Sequence, residues 1–259
     1  MKTSGTYGPI TGDLSRRARM QMSRPLFRAA WLRAVILHYE VEPAALRPLV
    51  PFPLDLRQGM AYLSLVIFTL AELRTDSLPL IGRSLLRPVS DHYFLNARTY
   101  VRAGEVPGIY FLAEWLSRRI AVPLGRPLFG LPYHLGEFDC DHDPTHRRIT
   151  GNIRAAGGLL RYKAEPVDTE GPSPCPAGSL DEFLLERYTA FTKWWNLRRF
   201  FRVWHPPWPV TPLSATIEDS SLLRRTGNWK THARLVAAHY SPGLRDVWMG
   251  HPQILSETL

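Results

Sequence analysis

The chain is short of cysteine, short of lysine and without a long apolar run, and each shortage removes a class of protein. Two cysteines, Cys140 and Cys175, are too few for a disulfide framework or a four-thiolate zinc site and read as free thiols. Its lysines are Lys2, Lys163, Lys193 and Lys230 alone, so basic charge is carried almost entirely by arginine. The longest mainly apolar stretch, Ala61 to Ala71, is interrupted by Ser64 and Thr69 and falls well short of the roughly 20 residues a membrane-spanning helix needs. Lys2 is followed by polar, Gly and Pro residues instead of an apolar signal core, so a cytoplasmic location is expected. The sequence has no G-x-G-x-x-G, phosphate loop, H-E-x-x-H or G-x-S-x-G, which leaves nucleotide-dependent, zinc-protease and triad-hydrolase readings unsupported.

What is present is an ordinary globular balance, 45% hydrophobic and 21% charged, which excludes disorder as the dominant state. Eleven Phe, ten Tyr and eight Trp supply large side chains for a core or a pocket. Net charge is +9, and more than half of it lies in residues 1 to 28, where Lys2, Arg16, Arg17, Arg19, Arg24 and Arg28 face only Asp13. Residues 1–27 therefore read as a basic, flexible leader and 28–259 as one domain. Arg16, Arg17 and Arg19 suit phosphates or anionic lipid, but without a recognisable nucleic-acid motif a solvated tail is the preferred reading.

After the leader the pattern is many short strands and few helices. Trp31 to Val41 is rich in β-branched and aromatic residues and meets Pro43, which suits the start of a short helix. In the next run Met60, Tyr62, Ser64, Val66 and Phe68 share one face and Leu63, Leu65 and Ile67 the other, the signature of a central strand. Tyr93 to Arg102 and Gly108 to Trp115 form a hairpin pattern around Gly104. Four more strands are expected over 147–155, 158–165, 214–221 and 232–240. A capping box at Ser179 to Glu182, followed by Leu180, Phe183, Leu184, Tyr188 and Phe191, predicts a helix to about Trp194. The fold expected is α+β, a strongly curved antiparallel sheet or barrel with a few helices.

Two groupings carry possible chemistry. His134, Glu137, Asp139, Cys140, Asp141, His142, Asp143 and His146 have metal-binding side chains, but Pro144 opposes the helix that would bring His142 and His146 together, and an acidic hairpin tip explains the cluster equally well. Trp194, Trp195, Trp204, Trp208, Phe200 and Phe201 either wall an apolar pocket or pack the core, the second being favoured.

The order of segments from Trp31 to Leu56, then GMAYLSLVIF, NARTYVRAGEVPGIYF, GRPLFGLPYH, SLDEFLLERY, PPWPV and SPGLRDVWM resembles the uncharacterised YqjF-like family, domain of unknown function 2071, over roughly residues 28 to 250. That family looks like a relative of acetoacetate decarboxylase, which implies a curved sheet enclosing an apolar pocket. In the decarboxylase a Gly-Arg pair leads to a proline and two adjacent lysines, one of them the Schiff-base nucleophile. Here Gly125-Arg126 leads to Pro132, Tyr133 and His134, so the nucleophile is missing. The resemblance puts Ser64 and Asn96 near the decarboxylase's pocket carboxylates and Trp31 near its pocket arginine.

Tyr133 and His134 are accordingly the catalytic candidates, able to donate a phenolic hydrogen bond and to exchange a proton near neutral pH. Arg98, on one face with Asn96 and Tyr100, either clamps a carboxylate or pairs with Glu40 or Glu114 at the sheet edge. His38 on the first strand, Ser64, Trp31 and Arg126 complete the candidate substrate contacts. The expected function is binding of a small, partly apolar organic molecule, carboxylate or keto in kind, by a cofactor-free lyase, hydratase or cyclase, or else by a non-catalytic binding or sensing protein. No cofactor, resident metal or membrane span is expected, and a homo-oligomer is left open.

Overall fold

The computed structural model describes residues 19, 24–75, 77, 84, 86–143, 145, 148–167 and 170–255. Most of residues 1–27, expected from sequence to be a flexible leader, lies outside the described residues with Arg16 and Arg17, as does His146 of the acidic segment. Twelve strands carry the fold: β1 (Phe27–Val41), β2 (Ala61–Arg74), β3 (His92–Ala103), β4 (Val106–Leu116), β5 (Tyr133–Asp143), β6 (Arg148–Ala155), β7 (Gly158–Pro166), β8 (Thr189–Trp194), β9 (Leu197–Trp204), β10 (Thr211–Ser220), β11 (Ala233–Met249) and β12 (Gln253–Ile254). Among the described residues three short α-helices, α1 (Pro43–Leu46), α2 (Gly125–Phe129) and α3 (Leu180–Leu185), fill connections between them.

The strands form one sheet in the order β12-β9-β8-β4-β3-β2-β1-β11-β10-β7-β6-β5, and added pairings of β9 with β11 and of β4 with β5 curve it round into a ring. The expected ladder is antiparallel throughout; the observed sheet is mixed, because β4 runs parallel to β8 at Ile109 and Tyr110 and parallel to β5 from Glu114 to Leu116. The parallel β4–β5 pairing closes one loop of the sheet, and the β9–β11 pairing, Met249 against Val203, closes the other. The β4–β5 pairing also sets the parallel neighbours Glu114 and Tyr133 side by side.

β1 and β2 are buried on both faces, as their unbroken apolar runs require. Val35, Leu37, Tyr39, Leu63, Leu65 and Ile67 enter one core cluster, whereas Ala34, Ile36, Tyr62, Val66 and Phe68 enter a second on the other face. Tight curvature demands close backbone approach where β11 crosses β1. Gly243, with φ +115, meets it: a Cβ there would stand 2.2 Å from the Trp31 carbonyl oxygen.

The capping box at Ser179 forms, with the Glu182 amide donating to Ser179 Oγ over 3.0 Å and the Glu182 carboxylate accepting from the Gly178 amide. The helix it starts is shorter than the periodicity predicts. It ends at Leu185, and Thr189–Trp194 is strand β8. Arg187 provides the physical reason for the turn, since its side chain is held by Asp55 at 2.7 Å and by the Phe183 carbonyl, while Thr189 to Phe191 pair with β9 and β4. Tertiary pairing overrides the helical spacing of Tyr188 and Phe191.

Candidate functional site

A cavity of about 170 Å3 lies inside the ring. Its walls are apolar: Phe68, Phe94, Phe129, Phe201, Trp31 and Trp208 are among the lining side chains, with the rings of Trp31 and Trp208 stacked at a centroid distance of 6.1 Å. A few polar groups converge on it, chief among them Asn96, Arg98, Glu114 and Tyr133. This pattern of apolar walls with a handful of placed polar groups is typical of small-molecule sites.

The alternation of β3 puts Asn96 and Arg98 on one face, as the sequence implies. Across the ladder Asn96 faces Glu114 on β4, and Glu114 faces Tyr133 on β5. Arg98 is 6% exposed; its Nη2 donates over 3.4 Å to the Leu184 carbonyl, its Nε has no partner, and it makes no ion pair with a described carboxylate. Glu114 is equally buried, and its Oε2 is without a partner, as is Asn96 Oδ1. Burial raises the Glu114 carboxyl to a pKa of about 8 against the opposing pull of the Arg98 cation. Burial also holds the Tyr133 phenol well above its usual value, with the Glu114 charge adding to the effect, so the hydroxyl is a donor at neutral pH.

Gly125 explains how Tyr133 fits. A Cβ at residue 125 would lie 2.4 Å from the Tyr133 ring, so α2 reaches the ring only because its first residue is glycine. Tyr133 also meets Phe94 edge-on at 5.7 Å. Arg187, neutralised by Asp55 in a fully buried pair, and His205, whose Nδ1 lies 2.7 Å from the Pro206 carbonyl, supply further polar wall. Burial depresses the pKa of His205 and takes that of His92, also in the wall, down to about 4, which keeps both imidazoles uncharged at neutral pH.

Of the candidates from sequence, Trp31, Asn96, Arg98 and Tyr133 line the cavity together. His134 does not. Neighbours on a strand face opposite ways, so as Tyr133 points inward His134 points out, ring to ring with Trp115 at 6.0 Å and within 3.4 Å of the Arg225 guanidinium. Burial, then Arg225 and Arg126, lowers its pKa. Arg126 is exposed on α2 and outside the cavity, where Gly125 takes the inward place.

His38 and Ser64 are buried behind the lining. His38 Nδ1 lies 2.6 Å from Ser64 Oγ, Ser64 Oγ lies 2.5 Å from the Tyr100 hydroxyl, and Tyr100 donates to the Leu184 carbonyl at 2.8 Å, the same oxygen that Arg98 touches. Neither His38 nor Ser64 is part of the cavity lining, and their hydrogen bonds lead to the carbonyl that Arg98 touches. Among the aromatics, Trp208 and Phe201 line the cavity, Trp204 packs against Trp248, and Trp195 is 82% exposed.

The acidic segment is strand β5, with His142 turned inward between the Tyr162 hydroxyl at 2.6 Å and the Arg33 carbonyl at 2.8 Å while Asp139 and Asp141 face solvent. Among the described residues no group of His, Cys, Asp and Glu is placed to hold a metal ion. Nor does any described lysine line the cavity.

Glu114 is the residue that sequence reasoning misplaced. Extended from the Arg98–Phe111 pair, a regular hairpin would set Glu114 opposite Leu95 and on the other face from Asn96; a bulge between Ala97 and Arg98 shifts the register and brings Glu114 across from Asn96. Nothing in the local sequence announces that bulge.

Comparison with known proteins gives a consistent picture. The family model for domain of unknown function 2071, described as an uncharacterized conserved protein, matches residues 28–245. The uncharacterized protein YqjF of Bacillus subtilis (strain 168) is 31% identical over 204 residues, covering 76% of this chain and 80% of that protein. Among solved structures, an acetoacetate decarboxylase-like enzyme from Sphingomonas wittichii RW1 superposes with a TM-score of 0.61 at 14% identity, covering 91% of this chain and 95% of the other. The enduracididine biosynthesis enzyme MppR complexed with pyruvate superposes with a TM-score of 0.60 at 13% identity, covering 92% and 93%.

Proposed function

The chain belongs to the domain of unknown function 2071 family, with an acetoacetate decarboxylase-like fold, and from that premise we propose that its cavity binds a small, partly apolar organic acid bearing a carbonyl group. One observation carries the reading: Arg98 is a buried cation on the cavity wall with an unpartnered Nε and no described carboxylate paired to it. A buried charge left unpaired is costly, and a ligand carboxylate is the group that relieves it. The apolar walls fit the remainder of such a ligand. MppR, a neighbour in fold, has been solved with pyruvate, a small keto acid, which agrees in chemical class.

Glu114 and Tyr133 supply acid–base chemistry next to that anchor. Tyr133 donates a hydrogen bond to the ligand's carbonyl oxygen, and the Glu114 carboxylate, present in growing fraction as pH approaches about 8, takes a proton from the adjacent carbon to give the enolate. Enolisation of this kind is shared by cofactor-free lyases, hydratases and cyclases. Imine chemistry is not part of the proposal, since no described lysine lines the cavity. A non-catalytic binding or sensing role is the second reading, favoured by the outward placement of His134, which leaves the site without a histidine base of ordinary pKa.

Proton NMR of pyruvate in D2O with the full chain separates the two. The proposal expects methyl-proton exchange that rises with pH toward about 8 and disappears in Glu114→Gln. Saturable binding with no exchange at any pH favours the sensing role, and no binding of keto or carboxylic acids contradicts both.

A further inference from the structure

Exposed large apolar side chains are not scattered over this protein. Ile120, Leu124, Leu128, Trp195, Leu197 and Ile254 are six of the eight among the described residues, and they come from three segments that meet at one rim of the ring. Arg199 on β9 donates to the Leu128 carbonyl at 3.3 Å, Thr192 on β8 donates to the Phe129 carbonyl at 2.8 Å, and Ile254 on β12 pairs with Arg199. Leu124 and Leu128 are at once exposed and part of the cavity wall, so the cavity opens through this rim.

The same segments contain no acidic residue. Over 117–130, 193–200 and 250–255 the only formal charges are basic, with Arg118, Arg119, Arg126, Lys193 and Arg198 all exposed and none in an ion pair with a described residue. Single exposed apolar residues mean little, but a cluster of them set among like charges marks an interaction surface. We infer that this rim docks on an anionic lipid bilayer, with the mouth of the cavity turned toward the membrane. Aliphatic side chains and an exposed Trp enter the headgroup region while arginines meet the anionic headgroups.

Two other occupants fit less well. A second copy in a two-fold contact would set this row of cations against itself. Single-stranded nucleic acid would use stacking platforms, whereas five of the six apolar residues are aliphatic and offer bases nothing to stack on. The docking stands on the rim alone. That the cavity's ligand is an amphiphilic acid drawn from the bilayer rests in addition on the function proposed above.

The test is flotation of the full chain with vesicles of phosphatidylcholine, alone or with about one-third phosphatidylglycerol. Binding to the anionic vesicles only, weakened by salt, is expected. Trp195→Ser, Ile120→Ser and the Arg119→Glu/Arg126→Glu pair should each reduce it about tenfold or more at unchanged melting temperature, because each residue is exposed. Stabilisation by keto acids measured without vesicles should be unchanged in these variants, so that failure of docking and failure of the cavity reading are separable. Three results overturn the inference: no binding to anionic vesicles, equal binding to neutral ones, or competition by a single-stranded oligonucleotide that the Trp195 and Ile120 substitutions do not affect.

Discussion

Glu114 and Arg98 share one cavity wall without forming an ion pair, and burial holds the Glu114 carboxyl up to a pKa of about 8 despite the nearby cation. At neutral pH the wall therefore carries the positive charge of Arg98 beside a mostly neutral acid. An anionic ligand meets attraction there and finds a proton carrier within the same pocket.

The first prediction concerns stability against pH. An unfolded Glu114 releases its proton near 4.5, the folded one near 8, so between these values the folded state binds the extra proton and is destabilised as pH rises. The contribution is fully present below about 4.5 and gone above about 8. Glu114→Gln should lack this loss, and its stability relative to wild type should climb across the window by on the order of 3 to 5 kcal/mol. Urea melts at a series of pH values check it; parallel curves for the two proteins would mean that Glu114 ionises at an ordinary value.

Gly125→Ala should cost about 1 to 3 kcal/mol, although its φ of −61 suits alanine, because the new methyl enters the Tyr133 ring. Adding Tyr133→Leu should recover most of that loss, a coupling measurable in a double-mutant cycle by denaturant melts. Additive effects would show that the glycine serves some other purpose.

His134→Ala should change stability by less than about 1 kcal/mol and leave ligand binding intact, since the ring is half-buried and turned toward Arg225. Calorimetric titration with a keto acid reads the outcome. Loss of binding in a folded His134→Ala protein would place that side chain in the cavity after all.

How much of this was legible in the sequence follows from the physics of each signal. The alternation in β2 and β3 set Asn96, Arg98 and Ser64 on the correct faces, because a period of two survives any curvature of the sheet. The capping box located the start of α3 but not its end, which depends on the long-range pairing of β8 and on the grip of Asp55 on Arg187. Resemblance to the decarboxylase put both Tyr133 and His134 in the pocket, yet adjacent strand residues face opposite ways and only Tyr133 lines it. Glu114 was hidden by one bulge, and the chain from His38 through Ser64 and Tyr100 to Leu184 joins residues too far apart in sequence for any local pattern.

The central claim is that Arg98 anchors a carboxylate inside an apolar cavity, and thermal melting of wild type and Arg98→Met with phenylpyruvate or its methyl ester tests it most directly. Removing an unpaired buried cation should leave the unliganded Arg98→Met protein as stable as wild type or more so. With the acid at about ten times its Kd, wild type should gain about 1.4 kcal/mol, a rise of about 3 to 5 °C, while the ester gives little and Arg98→Met gains nothing from either. Equal stabilisation by acid and ester, or a full response in Arg98→Met, would contradict the account.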